Sequence, residues 1–212
     1  MATLAALAAI ALLAQQGYRI NPVDDTSRDS SFRSFSEKLN KIAVKRDVKG
    51  FRKLCDADVV TGTGRKGAAE EKGWAAFTKR WRPGDADSPL WETITDIISL
   101  GCVRMHPRLY VGPYLVWRFP REVDARKFLV LTRDQVVLRE APDRNSKGLA
   151  VLSFDLVEKI ADAPSEWTQV RINGREGFVQ SSVLRSSLTP RIQIGRGDDN
   201  SWKIIALEVP EP

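Results

Sequence analysis

The sequence is poor in the residues from which catalytic and metal centres are usually assembled. It has one histidine, His106, and two cysteines, Cys55 and Cys102. One imidazole and two thiols at scattered spacings make a poor metal site, so no metal and no cofactor are expected. The serine-nucleophile patterns G-x-S-x-G and S-x-x-K are absent. A thiol hydrolase would have to pair His106 with Cys55 or Cys102, and no supporting acid or amide is evident around "CVRMHP". Long runs of one charge are missing too. The net charge of +6 comes from Lys and Arg scattered among Asp and Glu, which reads as a solvated surface rather than a nucleic-acid stripe. The excess favours anionic surroundings such as acidic lipids or cell-wall polymers. No period of twenty to fifty residues repeats, which excludes solenoids and propellers.

Apolar runs are short except at the start. Ala2 to Ala14 is too short to span a bilayer and has the length of a signal-peptide core. No Lys or Arg precedes it, and bulky Leu12 stands at the third position before a cut after Ala14. The competing reading is a helix that buries Leu4, Leu7 and Leu12. Export is the favoured reading, with residues 1–16 as signal peptide, a periplasmic or extracytoplasmic location and no transmembrane span in the mature chain. Residues 17–29 lack periodicity and read as a flexible leader. In an oxidising compartment Cys55 and Cys102 would be able to pair; two buried free thiols are the alternative, and the sequence leaves both open.

Then the period becomes helical. Phe32, Phe35, Leu39 and Ile42 recur at spacings of three and four, with Ser34 and Glu37 as a capping box. Asp47 is placed to cap a second helix carrying Val48, Phe51, Leu54 and Cys55. A third helix is predicted from about Ala68 to Trp81, ended by Pro83-Gly84, and a fourth from Ser88 and Pro89 to Gly101. Residues 32–101 are thus expected to be mostly helical. Within them Gly62-Thr63-Gly64-Arg65-Lys66-Gly67 spells G-x-G-x-x-G. Such a turn binds phosphate only in a strand–turn–helix unit, and Asp58-Val59-Val60 reads as too short for a buried strand. A loop leading into the Trp74 helix is preferred.

From about Tyr110 the chain turns to short β-branched runs. "LYVGPYLVWRFP" is extended and broken by Pro113, and "KFLVLTRDQVVLREAP" supplies two strands. Asn173-Gly174, between "WTQVRI" and "EGFVQ", is the strongest hairpin signal. A last hairpin joins "RIQIG" to "SWKIIALEV" through "RGDDN". The acidic pairs Asp24-Asp25 and Asp198-Asp199 lie in polar turns, where bonds to local backbone are expected, and Arg196-Gly197-Asp198 reads as a hairpin tip.

Certain of these residues recur in a known order. They are "VVLREAP" at Val136 to Pro142; Gly148, Val151 and Leu152; and "EWTQVRINGREGFVQSSVL" with Trp167, Val170, Asn173, Gly174, Gly177, Phe178, Val179 and Leu184. The stretch Val136 to Leu184 resembles the bacterial SH3 (SH3b) family. That resemblance implies a small β-barrel serving as a binding module, with Trp167, Phe178, Arg139 and Asn173 as the candidate groove. Phe178 replaces the family's usual Trp, Ala141 stands where glycine is common, and "REAPDRNSKGLA" has no aromatic residue. A groove for Pro-rich peptides needs stacked aromatics, so that mode does not fit. Trp167 as a ligand-facing ring and Trp167 as a core-edge ring both stay open. The first half, with Gly73, Phe77, Trp81, Ser88, Leu90, Trp91, Leu100, Gly101, Pro113, Tyr114, Phe119 and Pro120, resembles uncharacterised exported bacterial proteins that end in an SH3b domain. That likeness implies no activity.

The expectation is an α+β chain: an α-rich domain at 30–125, an SH3-like β-barrel at 126–187, and a terminal hairpin at 188–212 packing across both. The functional expectation is a non-enzymatic cell-envelope protein whose barrel binds a peptidoglycan-type fragment or a partner protein, with no nucleic acid. The alternatives are a thiol or amidase-type hydrolase catalysing in the first domain, and a purely structural barrel.

Overall fold

The computed structural model describes residues 17–62 and 71–210. The expected signal peptide, and Thr63 to Gly67 of the glycine motif, lie outside the described residues. The helices are α1 (Ser30–Val44), α2 (Val48–Leu54), α3 (Gly73–Trp81), α4 (Leu90–Leu100) and α5 (Tyr114–Arg118). The strands in the first half are β1 (Cys55–Gly62), β2 (Glu71–Lys72), β3 (Val103–His106) and β4 (Leu109–Gly112). Those in the second half are β5 (Phe128–Leu131), β6 (Val136–Arg139), β7 (Gly148–Leu152), β8 (Leu156–Ala163), β9 (Trp167–Ile172), β10 (Arg175–Gln180), β11 (Leu184–Ser186), β12 (Arg191–Arg196) and β13 (Trp202–Glu208). Helices and sheets coexist, and the chain is α+β. They divide into two compact units, and both are discontinuous in sequence.

The first unit takes residues 22–118 and 188–210. Its sheet runs β2-β1-β13-β12-β4-β3. The C-terminal hairpin is therefore the centre of this sheet, with β13 parallel to β1 and β12 antiparallel to β4. This corrects two expectations. The hairpin is part of the first unit's own sheet, and residues 32–101 are not simply helical, because Cys55–Gly62 is an eight-residue strand. Sequence reasoning missed β1 because its side chains do not alternate and its partner lies at the far end of the chain.

The helices follow local chemistry. Asp29, not Ser34, caps α1: its carboxylate accepts from Ser31 N at 2.9 Å and Phe32 N at 3.2 Å. Ser34 lies inside the helix, where its hydroxyl donates to Ser30 O. Asp47 caps α2 through Gly50 N at 2.9 Å. Helix α3 starts only at Gly73, and its last turn ends on Arg82 in the left-handed region at φ 45°. Ser88 accepts from Leu90 N and donates to Trp81 O at 2.7 Å, tying the end of α3 to the start of α4.

Aromatic rings fill the core between helices and sheet. Phe32 stacks on Tyr110 with centroids 3.5 Å apart, and Trp202 meets both edge-on. Phe51, Phe77 and Trp91 form a second group. Residues 22–29 are not a flexible leader. Buried Asp25 accepts from Arg104 N at 3.0 Å, and the chain passes so close that a Cβ on Gly101 (φ +89°) would lie 2.8 Å from Val23 O. Only glycine fits there.

The second unit takes residues 17–21 and 119–187. Here too the leader is fixed: Ile20 is buried, and Ile20 N donates to Phe154 O at 2.8 Å. Its seven strands form one antiparallel sheet in the order β11-β5-β8-β9-β10-β6-β7. Among the described residues no ladder joins β7 to β11, so hydrogen bonding does not close a barrel. One face carries the core of Leu131, Leu138, Leu152, Val157, Val170, Ile172, Val179 and Leu184. The Asn173-Gly174 turn has both residues at positive φ, 49° and 74°, as a two-residue hairpin of matching twist requires. Gly177 sits where a Cβ would lie 2.7 Å from Arg139 O, so the close approach of β10 to β6 depends on it.

Two outcomes are expected. Ending the chain at Ser187 removes the two central strands of the first sheet and abolishes the near-ultraviolet dichroism of the Phe32–Tyr110–Trp202 cluster; an unchanged spectrum would refute this topology. Gly177→Ala destabilises the second unit by about 1–3 kcal/mol, read from denaturant unfolding, because the carbonyl of Arg139 has to give way.

Candidate functional site

In the second unit, strands β6, β9 and β10 turn one face toward the core and the other outward. Residues paired directly across antiparallel strands share a face. Trp167 opposes Gln180, and Phe178 opposes both Gln169 and Arg139, so these five side chains share the outer face. A depression of about 500 Å³ opens on it. Trp167, Gln180, Val137 and Val183 form its walls, and Arg133, Arg139 and Arg144 bring three guanidinium groups. Asp134 is the one acid among the lining residues, and its carboxylate already accepts from Gln135 N at 2.9 Å.

Local structure holds these groups. The turn between β5 and β6 projects Arg133 and places Gln135 at φ 53°, with its N–H shared between Asp134 and Ser153. Arg139 leaves β6 and donates to Ser146 O at 2.6 Å, which anchors the loop after the strand. Gln180, with its amide oxygen turned toward Arg144, accepts from Nε at 3.1 Å and Nη2 at 2.8 Å. Among the described residues no carboxylate makes an ion pair with Arg133, Arg139 or Arg144. Elsewhere on this face the cation is neutralised: Arg171 pairs with Glu158 at 2.9 Å and Glu176 at 2.5 Å.

The four residues named from the sequence separate here. Trp167 and Arg139 line the depression. Trp167 is 6 % exposed, so it serves as a wall anchored in the sheet. Phe178 shares their face, half-buried, without lining the depression, and Asn173 belongs to the exposed hairpin tip, where its role is the turn. Sequence reasoning missed Arg133, Arg144, Gln180 and Val183. The signal was present in "REAPDRNSKGLA", a stretch notable for its missing aromatics that nevertheless supplies Arg139 and Arg144.

The residues considered for thiol chemistry do not meet. Both cysteines are free and buried. Burial pushes each thiol up to about 12; at Cys55 the charge of Lys203 opposes this and Asp56 adds to it, and at Cys102 Asp24 adds to it. His106 is exposed at the end of β3, and its Nδ1 accepts from Arg108 N at 3.2 Å, closing a turn. The acidic pairs bind backbone, but only in part locally: Asp24 accepts from Thr26 N and Asp199 from Ser201 N, while Asp24 and Asp25 also accept from the distant Cys102 N and Arg104 N. Asp198, at the tip between β12 and β13, pairs with Arg108 at 2.7 Å. Among the described residues no three His, Cys, Asp or Glu side chains come together as a metal site, and no helix is long and apolar enough to cross a membrane.

Labelling checks the thiols. Neither is expected to react with a disulfide reagent at pH 8 in the native protein, and both react once it is unfolded; rapid native labelling would contradict their burial. The folded state holds thiol protons that the unfolded state releases from its ordinary value of 9.0, so this contribution to stability is complete below pH 9 and lost as pH rises through about 12.

The glycine motif is set aside on topology. Val60 pairs with Lys72 and Gly62 with Glu71, antiparallel, so the next described element after β1 is the strand β2, and α3 begins at Gly73. A phosphate turn passes from strand directly into a helix N-terminus. No curated protein and no solved structure matches the chain, so the likeness of its first half to exported proteins stands on sequence pattern alone. The family model of the bacterial SH3 domain matches residues 132–186, which hold the depression and most of the seven-stranded sheet, and this part of the chain is a bacterial SH3 domain.

Proposed function

We propose that this chain is a non-enzymatic protein of the bacterial cell envelope, exported by its apolar N-terminal segment, whose SH3 domain binds an acidic cell-wall fragment. One observation carries the reading: Arg133, Arg139 and Arg144 converge without carboxylate partners on a depression walled by Trp167. Guanidinium groups are strong, geometrically selective donors to carboxylates, and an aromatic wall adds contact area for the uncharged part of a ligand. The net charge of +6 points the same way, toward anionic polymers. The two neutral, buried thiols supply no nucleophile, which favours binding over hydrolysis. The open sheet curled about Leu138, Val170 and Val179 is read as the family's small barrel.

Full-length protein incubated with purified peptidoglycan at low salt is expected to co-sediment. Arg133→Gln and Arg144→Gln, both at exposed positions, are each expected to cut retention about tenfold while leaving the fold intact. Absence of retention at low salt would remove the cell-wall ligand. Retention that both variants preserve would move binding away from this face. Export is tested separately, by fusing the full chain to a reporter that is active only outside the cytoplasm.

A further inference from the structure

The first unit carries a depression of its own, of about 640 Å³, lined by Arg52, Lys53, Cys55, Asp56, Trp74 and Lys203. Phe77, fully buried, stacks under Trp74 with ring centroids 5.3 Å apart and planes 7° from parallel. The guanidinium of Arg52 lies over the same indole at 5.6 Å. Phe77, Trp74 and Arg52 thus go from buried through half-buried to exposed, with the arginine beside an indole that is itself stacked on the core. A guanidinium held by its face keeps its N–H donors in the ring plane, available to an incoming anion.

Lys203 reaches the same depression from β13, and its ammonium donates to Lys53 O at 2.7 Å. That bond satisfies a carbonyl in the last turn of α2 and uses one of the ammonium's three donors. Among the described residues none of Arg52, Lys53 or Lys203 makes an ion pair. The single acid, Asp56, is turned to local use and accepts from Asp58 N at 2.9 Å. Three cations against one carboxylate leave an excess of two positive charges, in a space the size of a small-molecule site.

We infer that this depression binds a small phosphate monoester, with the dianionic phosphate on Arg52, Lys53 and Lys203. The charge excess matches a dianion rather than a single carboxylate. The planar fork of Arg52 suits two phosphate oxygens, and the lysines act as point charges beside it. The site is built from residues of the first unit alone and does not depend on the proposed function.

The test uses the full chain and phenyl phosphate as probe. At low salt the indole N–H resonance of Trp74, assigned by Trp74→Phe, is expected to shift saturably with millimolar or tighter affinity. Benzoate is expected to bind at least about tenfold more weakly, and inorganic pyrophosphate to displace the ester. Arg52→Gln and Lys203→Gln each weaken binding about tenfold, Arg52→Lys weakens it less, and Lys38→Gln on the outside of α1 leaves it unchanged. Absence of a saturable shift overturns the inference. So does benzoate binding as tightly as the ester, a comparison that needs only the wild-type protein. An undiminished shift in folded Arg52→Gln and Lys203→Gln variants overturns it as well.

Discussion

The parallel pairing of Cys55–Gly62 with Trp202–Glu208 is the contact on which the first unit depends. Strand β13 joins the halves of its sheet: β1 and β2 lie on one side, and β12, β4 and β3 on the other. The helices cover that sheet with aromatic rings, and the residue that meets both Phe32 and Tyr110, Trp202, belongs to the same late strand. Its indole N–H also donates to Ser31 at 2.9 Å, which fixes the start of α1. One strand thus supplies backbone pairing, a core ring and a helix anchor. Parallel strands need a long covalent connection between them, and here that connection contains the bacterial SH3 domain.

Charge placement gives the two units related but separate chemistry. Each has a shallow depression in which cations outnumber acids and an aromatic ring stiffens the wall. In the SH3 domain the guanidinium groups come from a turn, a strand and a loop. In the other unit one guanidinium and two ammonium groups gather at the end of a short helix and on the central strand. Elsewhere many cations are spent on neighbours, as Arg171 is on Glu158 and Glu176, or Arg191 on buried Glu208. The uncommitted ones are therefore informative about ligands in a way that a net charge is not.

Much of the fold could be read from short-range signals. Asp47 before α2, Asn173-Gly174 between β9 and β10, and Gly177 at the close approach of two strands each state a local requirement in one or two residues. The capping box at Ser34 was misleading because an equally good cap, Asp29, stood one turn earlier. Strand β1 was illegible for a different reason: "CDADVVTG" does not alternate, since it is covered on both sides over part of its length, and its partner is at the opposite end of the chain. Discontinuous units have the same cause, because no composition change marks a boundary that only long-range pairing creates. Of the SH3 face, Trp167 and Arg139 followed from family pattern. Arg133 and Arg144 did not, because turns, not periodicity, bring them to the depression.

The chain passes between the two units three times, after Asn21, Arg118 and Ser187. On a ribosome the SH3 strands are all available before the first unit has its central hairpin. Helices α1 to α4 must then wait, with Phe32, Phe51, Phe77 and Trp91 still lacking the sheet that will cover them. The pairing of β1 with β13 closes a long loop that contains the SH3 strands, and the ordering cost of such a loop grows only slowly with its length. Holding factors and proteases would meet this protein in that interval, with its helical portion exposed and its SH3 strands already made.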